Sequence, residues 1–284
     1  MTAATYAAAK LLRVLPRARI NHVVGRLADG EFHPLVVTTV VNLYVKAYGI
    51  DLEDSVCPNG AFASFDAFFT RKLREGVRPE CGDPHAIVSP ADGRMECSGS
   101  VNAGGKLKIK GRDYCVEDLV GDPAEAARYE GGQFLVVYLS PRDYHRVHAP
   151  AAGGVSLIRS LPGDVYPVNA IGEEHVPSLF SVNRRVAIVI DTPSTGRVTV
   201  VMVGAMIVGR ITVSAIDARD VPLGTHTIAP PRPVLRGEEI GIFHLGSTAV
   251  VFVEKGAAPP WNTNRRAIRV GEQLTPLSSG GARR

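Results

Sequence analysis

Short strand-like runs separated by glycine and proline are the feature that most constrains the fold of this chain. From about residue 85 the hydrophobic pattern alternates, most clearly in Lys106–Lys110. Four apolar runs typical of buried strands follow: Phe134–Leu139, Val186–Ile190, Val198–Val203 and Ala249–Val253. The 29 glycines and 20 prolines supply turns between them. The pattern predicts an α+β protein that is mainly β, with a compact, largely antiparallel core of barrel or sandwich type.

The N-terminal part has a helical pattern instead. Between Thr5 and Leu27, apolar residues recur at helical spacing among five basic residues, and Leu35–Tyr48 is almost uncharged. Neither segment has the roughly 18 uninterrupted apolar residues of a spanning helix, and arginines interrupt any signal-peptide core. Such basic amphipathic helices either lie on an anionic membrane surface or pack on the protein's own core.

These patterns predict two parts, a helical segment over residues 1–60 and a β-rich domain over residues 61–284. A further short helix is predicted over residues 61–74, with Phe65, Phe68 and Phe69 on one side. The last ten residues are expected to be mobile.

Composition argues against several classes of protein. The four cysteines, at 57, 81, 97 and 115, form no CxxC pair, which favours free thiols in a reducing compartment. The net charge of +4 is modest, and no basic stripe alternates with aromatic residues, so nucleic acid is not an expected partner.

Three short motifs in the β-rich part carry reactive side chains. Asp92 lies in the turn Ser-Pro-Ala-Asp-Gly-Arg (89–94), where an aspartate also commonly binds backbone amides. His145 and His148 follow a predicted strand; no third ligand with metal-site spacing accompanies them, so we predict proton transfer and no metal. Ser247 follows Gly246 between two strand-like runs, where a simple turn is the alternative interpretation.

Asp, His and Ser together indicate an activated hydroxyl. Ser247 lacks the GxSxG context of a hydrolase, and its nearest carbonyl is that of Gly246. Attack on that carbonyl gives an ester by N→O acyl shift. Elimination from the ester then leaves a dehydroalanine at position 247, which hydrolyses to a pyruvoyl group.

The motifs resemble those of the phosphatidylserine decarboxylases. The resemblance rests on residues 89–94, Tyr-His-Arg-Val-His-Ala-Pro (144–150), Leu-Phe-Ser-Val-Asn (179–183) and Phe-His-Leu-Gly-Ser-Thr (243–248), with a glycine-containing strand at 203–209. It covers about residue 60 to residue 256. Two positions differ or stay open: Pro167 stands where a substrate-binding hydroxyl is expected, and His244 is interpreted as a partly exposed strand histidine.

The resemblance implies a role for each residue of the motifs. Asp92 orients His148, and His148 deprotonates Ser247 for self-cleavage between Gly246 and Ser247. The pyruvoyl group at 247 then forms a Schiff base with phosphatidylserine, carbon dioxide leaves, and His145 reprotonates the carbon to give phosphatidylethanolamine. The protein is thus expected to be a zymogen of phospholipid biosynthesis whose chains, 1–246 and 247–284, stay associated.

The resemblance also implies a membrane-associating N-terminus, a homodimer, and a peripheral location on the cytoplasmic face of the cell membrane. Three alternatives stay open at this point. They are a Ser-His-Asp hydrolase without self-cleavage, a pyruvoyl decarboxylase of a soluble amino acid, and a non-enzymatic β-rich membrane-binding module.

Overall fold

The computed structural model describes residues 16–79, 81–168, 170–206, 210–261 and 264–274, without the side chains of Ala18, Ala170, Ile171 and Ser247. The start of the first predicted helix, the end of the 203–209 strand and the last ten residues therefore lie outside the described part.

Two helices open the described chain, and neither is long and apolar enough to cross a membrane. The second begins at Pro34, whose fixed φ suits the first helical position, and ends at Gly49, whose φ is 61°. Within the described ranges the helices are α1 (Arg17–Asp29), α2 (Pro34–Tyr48), α3 (Phe65–Phe69), α4 (Val116–Val120), α5 (Pro123–Ala127), α6 (Ala170–His175) and α7 (Leu179–Val182).

Strands make up most of the remaining regular secondary structure, as the alternation predicts. They are β1 (Gly93–Ser100), β2 (Lys106–Ile109), β3 (Arg112–Cys115), β4 (Gln133–Leu139), β5 (Arg146–His148), β6 (Gly153–Leu161), β7 (Arg185–Thr192), β8 (Gly196–Val203), β9 (Arg210–Val213), β10 (Gly224–Val234), β11 (Glu239–His244), β12 (Ser247–Val253) and β13 (Arg266–Ile268).

All pairs of these strands are antiparallel, and they form three sheets. The large sheet has the order β10-β6-β7-β8-β12-β4-β1-β13, the second has the order β5-β11-β9, and β2 and β3 form a hairpin. The described strands do not close into a barrel, because β10 and β13 are the unpaired ends of the large sheet. The mainly β, α+β class is confirmed.

The central strands of the large sheet are buried on both faces, which explains their continuous apolar runs. In β4, Leu135 and Val137 pack on the face that the second sheet covers, through residues such as Phe243. Phe134 and Val136 face the other side, against α4, α7 and the β2–β3 hairpin.

A separate apolar cluster joins the N-terminal helices to the β part. It contains Ala28 of α1, Val37 and Val41 of α2, Phe68 and Phe69 of α3, and also Leu245. The residue just before Gly246 is thus buried among the helices, outside the two clusters of the β core.

The predicted helix over 61–74 is shorter than expected. Ser64 caps it by accepting the N–H of Ala67 at 3.1 Å, and it ends at Phe69. The chain then pairs with an upstream segment, since Val56 N–H donates to Lys72 O and Arg74 N–H to Asp54 O, both at 2.8 Å.

Candidate active site

The connection between β11 and β12 joins two different sheets. β11 ends at His244 in the second sheet, and β12 begins at Ser247, whose backbone pairs with Leu139 in the large sheet. Only Leu245 and Gly246 lie between them, with φ values of 84° and 38°. Glycine adopts positive φ readily, whereas a leucine there costs about 1–3 kcal/mol. The backbone is therefore strained directly before the peptide that joins Gly246 to Ser247.

The two predicted histidines lie just beyond the strand partner of Ser247. β4 ends at Leu139, and the next turn is closed by Asp143, whose carboxylate accepts the N–H and the hydroxyl of Ser140, both at 2.7 Å. The 144–148 segment continues from this turn into β5, which pairs with β11. The strand register thus brings the histidine motif close to the β11–β12 connection.

His145 is completely buried. Its Nδ1 lies 2.8 Å from the carbonyl oxygen of Asp143, to which it donates, and its Nε2 has no hydrogen-bond partner. The ring packs on Phe69 with the centroids 4.0 Å apart. Burial, and secondly the charge of Arg71, lower the pKa of His145 to about 3. The imidazole is therefore neutral at pH 7, with its lone pair on Nε2.

His148 is also held through both ring nitrogens. Nδ1 donates to Gly237 O at 2.7 Å, and Nε2 accepts from the hydroxyl of Tyr144 at 3.1 Å. Burial lowers the pKa of His148, more than the bond to Gly237 and the charges of Glu239 and Asp92 raise it. A neutral imidazole with a basic Nε2 is the form that a general base requires.

Asp92 lies near His148 but does not bind it directly. Its carboxylate accepts from the guanidinium of Arg78 and, at 2.8 Å, from the N–H of Val270. The Asp92 and histidine motifs touch through the backbone, since His148 N–H donates to Pro90 O at 2.8 Å. The predicted role of Asp92 in orienting His148 stays a prediction, because Gly237 O holds Nδ1 in this arrangement.

The interpretation of His244 as a partly exposed strand histidine is wrong. His244 is 9% exposed, and its Nδ1 lies 2.9 Å from both carboxylate oxygens of Asp66 in α3. Its Nε2 lies 3.3 Å from the hydroxyl of Thr212. The carboxylate is 178 positions away in sequence, so local pattern gave no sign of it.

An apolar cavity of about 540 Å³ reaches the β11–β12 connection. Its walls come from α1, α2 and α3, from Pro141, and from Leu245 and Gly246. Val36 and Val40, which are 51% and 46% exposed, also line it. The cavity therefore runs from the outer surface of the helices to Gly246.

Comparison with known proteins identifies the family. A family model described as phosphatidylserine decarboxylase matches residues 65–275. The chain belongs to the phosphatidylserine decarboxylase family. A phosphatidylserine decarboxylase proenzyme of Acinetobacter baumannii is 40% identical over 270 residues, covering 93% of this chain and 94% of that protein. The proenzyme of Anaeromyxobacter sp. is 37% identical over 272 residues, covering 93% of this chain and 95% of that protein. The proenzyme of Alcanivorax borkumensis is 40% identical over 254 residues, covering 86% of this chain and 86% of that protein.

The resemblance stated from the motifs is thus confirmed, and the chain is a decarboxylase of this family. Among the residues that the structure describes, no group of three or more His, Cys, Asp or Glu side chains has metal-site geometry.

Asn183 of the third family-like motif is fully buried and fixes the backbone of Tyr166, donating to its carbonyl at 2.8 Å and accepting its N–H at 2.9 Å. Pro167 follows directly after this fixed residue.

Sequence reasoning missed three charged residues of the candidate site. Arg78 pairs with Asp92, Asp66 pairs with His244, and Arg71 lies beside His145. Arg71 is 5% exposed and donates to Arg142 O at 3.2 Å, while its Nη1 has no hydrogen-bond partner. The signal that could have found Asp66 and Arg71 is their position in a phenylalanine-rich stretch, where charged side chains need buried partners.

Proposed function

We propose that this chain cleaves itself between Gly246 and Ser247 and then decarboxylates phosphatidylserine to phosphatidylethanolamine through a Schiff base with a pyruvoyl group formed from Ser247. The observation that carries the proposal is the β11–β12 connection. Leu245 and Gly246 have positive φ there, and the histidine motif follows from the strand partner of Ser247. The names of the relatives, which describe proenzymes, agree with a chain that is processed.

The connection suits an N→O acyl shift. The Ser247 hydroxyl attacks the carbonyl carbon of Gly246, its proton passes to a base, and the C–N bond breaks to leave an ester and a free amine at 247. Elimination across residue 247 then releases the Gly246 carboxylate and leaves a dehydroalanine. Water converts the dehydroalanine to the pyruvoyl group, and its nitrogen leaves as ammonia. Gly246 has no side chain over its carbonyl, and release of the backbone strain at Leu245 favours breakage of the peptide bond between Gly246 and Ser247. The lowered pKa of His148 supports it as the base.

His145 fits the role of proton donor to the substrate only when an anion is present. With a pKa of about 3, its protonation at pH 7 in the resting protein costs about 5 kcal/mol. A nearby negative charge raises a histidine pKa. The buried, unpaired Nη1 of Arg71 and Nε2 of His145 therefore fit a substrate that brings an anionic group, such as the carboxylate or phosphate of phosphatidylserine.

The cavity and helices favour a lipid over a soluble amino acid. The α1 and α2 helices expose apolar side chains such as Leu35 at 71% and Leu43 at 64%. Basic side chains, including Arg19 and Arg26, lie on the same segment, as in helices that bind anionic membrane surfaces. An apolar cavity that leads from these helices to Gly246 suits an acyl chain. A peripheral location on the cytoplasmic face of the membrane and a homodimer are part of this proposal.

The first test is the intact mass of the denatured wild type beside a Ser247→Ala variant. We expect two chains from the wild type, with the smaller one lacking a free N-terminal amine, and one chain from the variant. A folded wild type that stays whole would refute self-cleavage and favour the hydrolase.

The second test follows phosphatidylethanolamine formation on vesicles of phosphatidylserine and phosphatidylcholine. Leu35→Ser combined with Leu43→Ser should weaken vesicle binding at least about 100-fold, because each leucine loses about 1.5–3 kcal/mol of burial in lipid. Leu235→Ser, at a 73% exposed position outside the helices, is the matched control. Equal binding by all three proteins would count against the membrane surface, and decarboxylation of free serine would favour a soluble substrate.

A further inference from the structure

A chain of ion pairs links the end of α1 to the last residue of β11. Asp29, at the C-terminal end of α1, pairs with Arg210 and Arg219. Arg210 also donates to Asp66 at 3.0 Å, and Asp66 accepts from His244 at 2.9 Å. Apart from Arg219, the side chains that form these ion pairs are at most 16% exposed.

The apolar contacts of the next residue lead to the same helices. Leu245 is 6% exposed and belongs to the cluster of Ala28, Val37 and Phe69. Both side chains before Gly246 are thus held by the N-terminal helices, one through charge and one through packing. Ser247 is held separately, by the pairing of its backbone with β4.

Two fixed ends explain how a leucine keeps a φ of 84°. Such a conformation persists only where the surroundings over-determine it. His244 is fixed by the pairing of its backbone with Arg210 and by the contact of its side chain with Asp66, and Ser247 is fixed by the large sheet. The two residues between them therefore cannot relax. Loss of the His244–Asp66 contact would loosen this last pair of β11, let Leu245 return to negative φ and turn the Gly246 carbonyl away from its present position.

We propose that His244, held by Asp66, is a positioning residue for self-cleavage, and that the ion-pair chain makes cleavage depend on the docked α1 helix. This inference rests on the proposed function. His244 acts through the backbone of Leu245 and Gly246 and exchanges no proton with Ser247. The membrane-associating segment thereby takes part in maturation as well as in substrate binding.

The experiment measures the half-time of cleavage after cell-free synthesis of the full chain. We expect His244→Ala to slow cleavage about 10- to 100-fold. His244→Asn, whose amide N–H can take the place of Nδ1 toward Asp66, should recover most of the rate. Asp66→Ala should slow cleavage as His244→Ala does, and the double variant should be no slower than either alone, because the two residues act as a unit. Asp29→Asn should slow cleavage less, by about 3- to 10-fold.

Glu125→Gln is the matched control for loss of a buried ion pair. Glu125 is 3% exposed and pairs with Arg197 at 2.7 Å, near the far end of β12. We expect it to lower the melting temperature while cleavage keeps the wild-type half-time. Melting temperatures of all variants, measured with Ser247→Ala also present, separate a folding defect from a positioning defect.

Three outcomes would overturn the inference. The first is a His244→Ala chain that cleaves within twofold of the wild type. The second is a His244→Asn chain that folds but is as slow as His244→Ala. The third is a double variant whose cleavage is slowed by the product of the factors measured for Asp66→Ala and His244→Ala alone, because such a result would show that the two residues act independently. A wild type that never cleaves would overturn the proposed function and this inference with it, whereas the first three outcomes leave the proposed function intact.

Discussion

The buried His145 should make the fold sensitive to acid. Its pKa is about 3 in the folded protein and about 6.5 in an unfolded chain. Between these values the unfolded chain binds a proton that the folded protein does not bind, so the free energy of unfolding falls as the pH falls. At about 1.4 kcal/mol for each pKa unit, lowering the pH from 7 to 5 costs about 2 kcal/mol through this one residue.

The perturbation is His145→Gln, which cannot take up the proton. Both proteins also carry Ser247→Ala, so that a single chain unfolds, and urea denaturation at pH 7 and pH 5 gives the free energy of unfolding. The packing lost from Phe69 costs the same at both pH values and is removed by subtraction. We expect the variant to lose about 2 kcal/mol less than the parent between pH 7 and pH 5.

Arg71→Gln tests the cause of the shift. Burial is the largest cause and the charge of Arg71 the second, so removal of the charge should raise the pKa of His145 only part of the way toward 6.5. The acid loss should then lie between those of the parent and of His145→Gln. Equal losses in the parent and in His145→Gln, to within about 0.5 kcal/mol, would refute a buried, neutral His145.

Three further predictions concern the neighbouring motifs. Because burial lowers the pKa of His148, the half-time of self-cleavage on denaturing gels should be constant from pH 8 to about 6.5 and lengthen only at more acidic pH. A cleavage rate that increases as the pH falls would contradict His148 as the base. Gly93→Ala should lower the free energy of unfolding in urea by about 3 kcal/mol or more, because the added Cβ would lie 2.3 Å from Tyr138 O and the φ of Gly93 is 157°. Gly82→Ala is the control and should be nearly neutral, because the Cβ added there meets nothing within 4 Å. Asn183→Ala should lower the free energy of unfolding by about 3 kcal/mol in the same assay, since it leaves buried backbone groups of Tyr166 and Gly204 unpaired. An unchanged urea midpoint would show that water replaces the amide.

The strands were predictable because their pattern is local. β4, β7, β8 and β12 each contain one of the apolar runs, and burial of these central strands on both faces accounts for those runs. The helix over residues 61–74 was predicted too long because its last residues pair with residues 54–56, a tertiary contact that overrides helical spacing.

The candidate site residues were named from the sequence, but their partners in the structure were not. Asp66 and His244 are 178 positions apart, and Val270 is 178 positions from Asp92. The step between β11 and β12 resembles an ordinary two-residue hairpin turn, yet the strands belong to different sheets. Only the assembled fold determines that the connection crosses between sheets, because neither Leu245 nor Gly246 encodes which strand each neighbour will join.

The central position of β12 determines when the proposed cleavage can take place relative to folding. β12 lies between β4 and β8 and pairs with both along most of its length. Under the proposed self-cleavage, a strand in that position has to enter the sheet before the chain is cut, so folding would come before cleavage. A separately made peptide of residues 247–284 would find the gap between β4 and β8 closed or collapsed. If the proposed cleavage takes place, each molecule has one opportunity to mature, and a molecule whose residue 247 is later damaged can be replaced only by new synthesis.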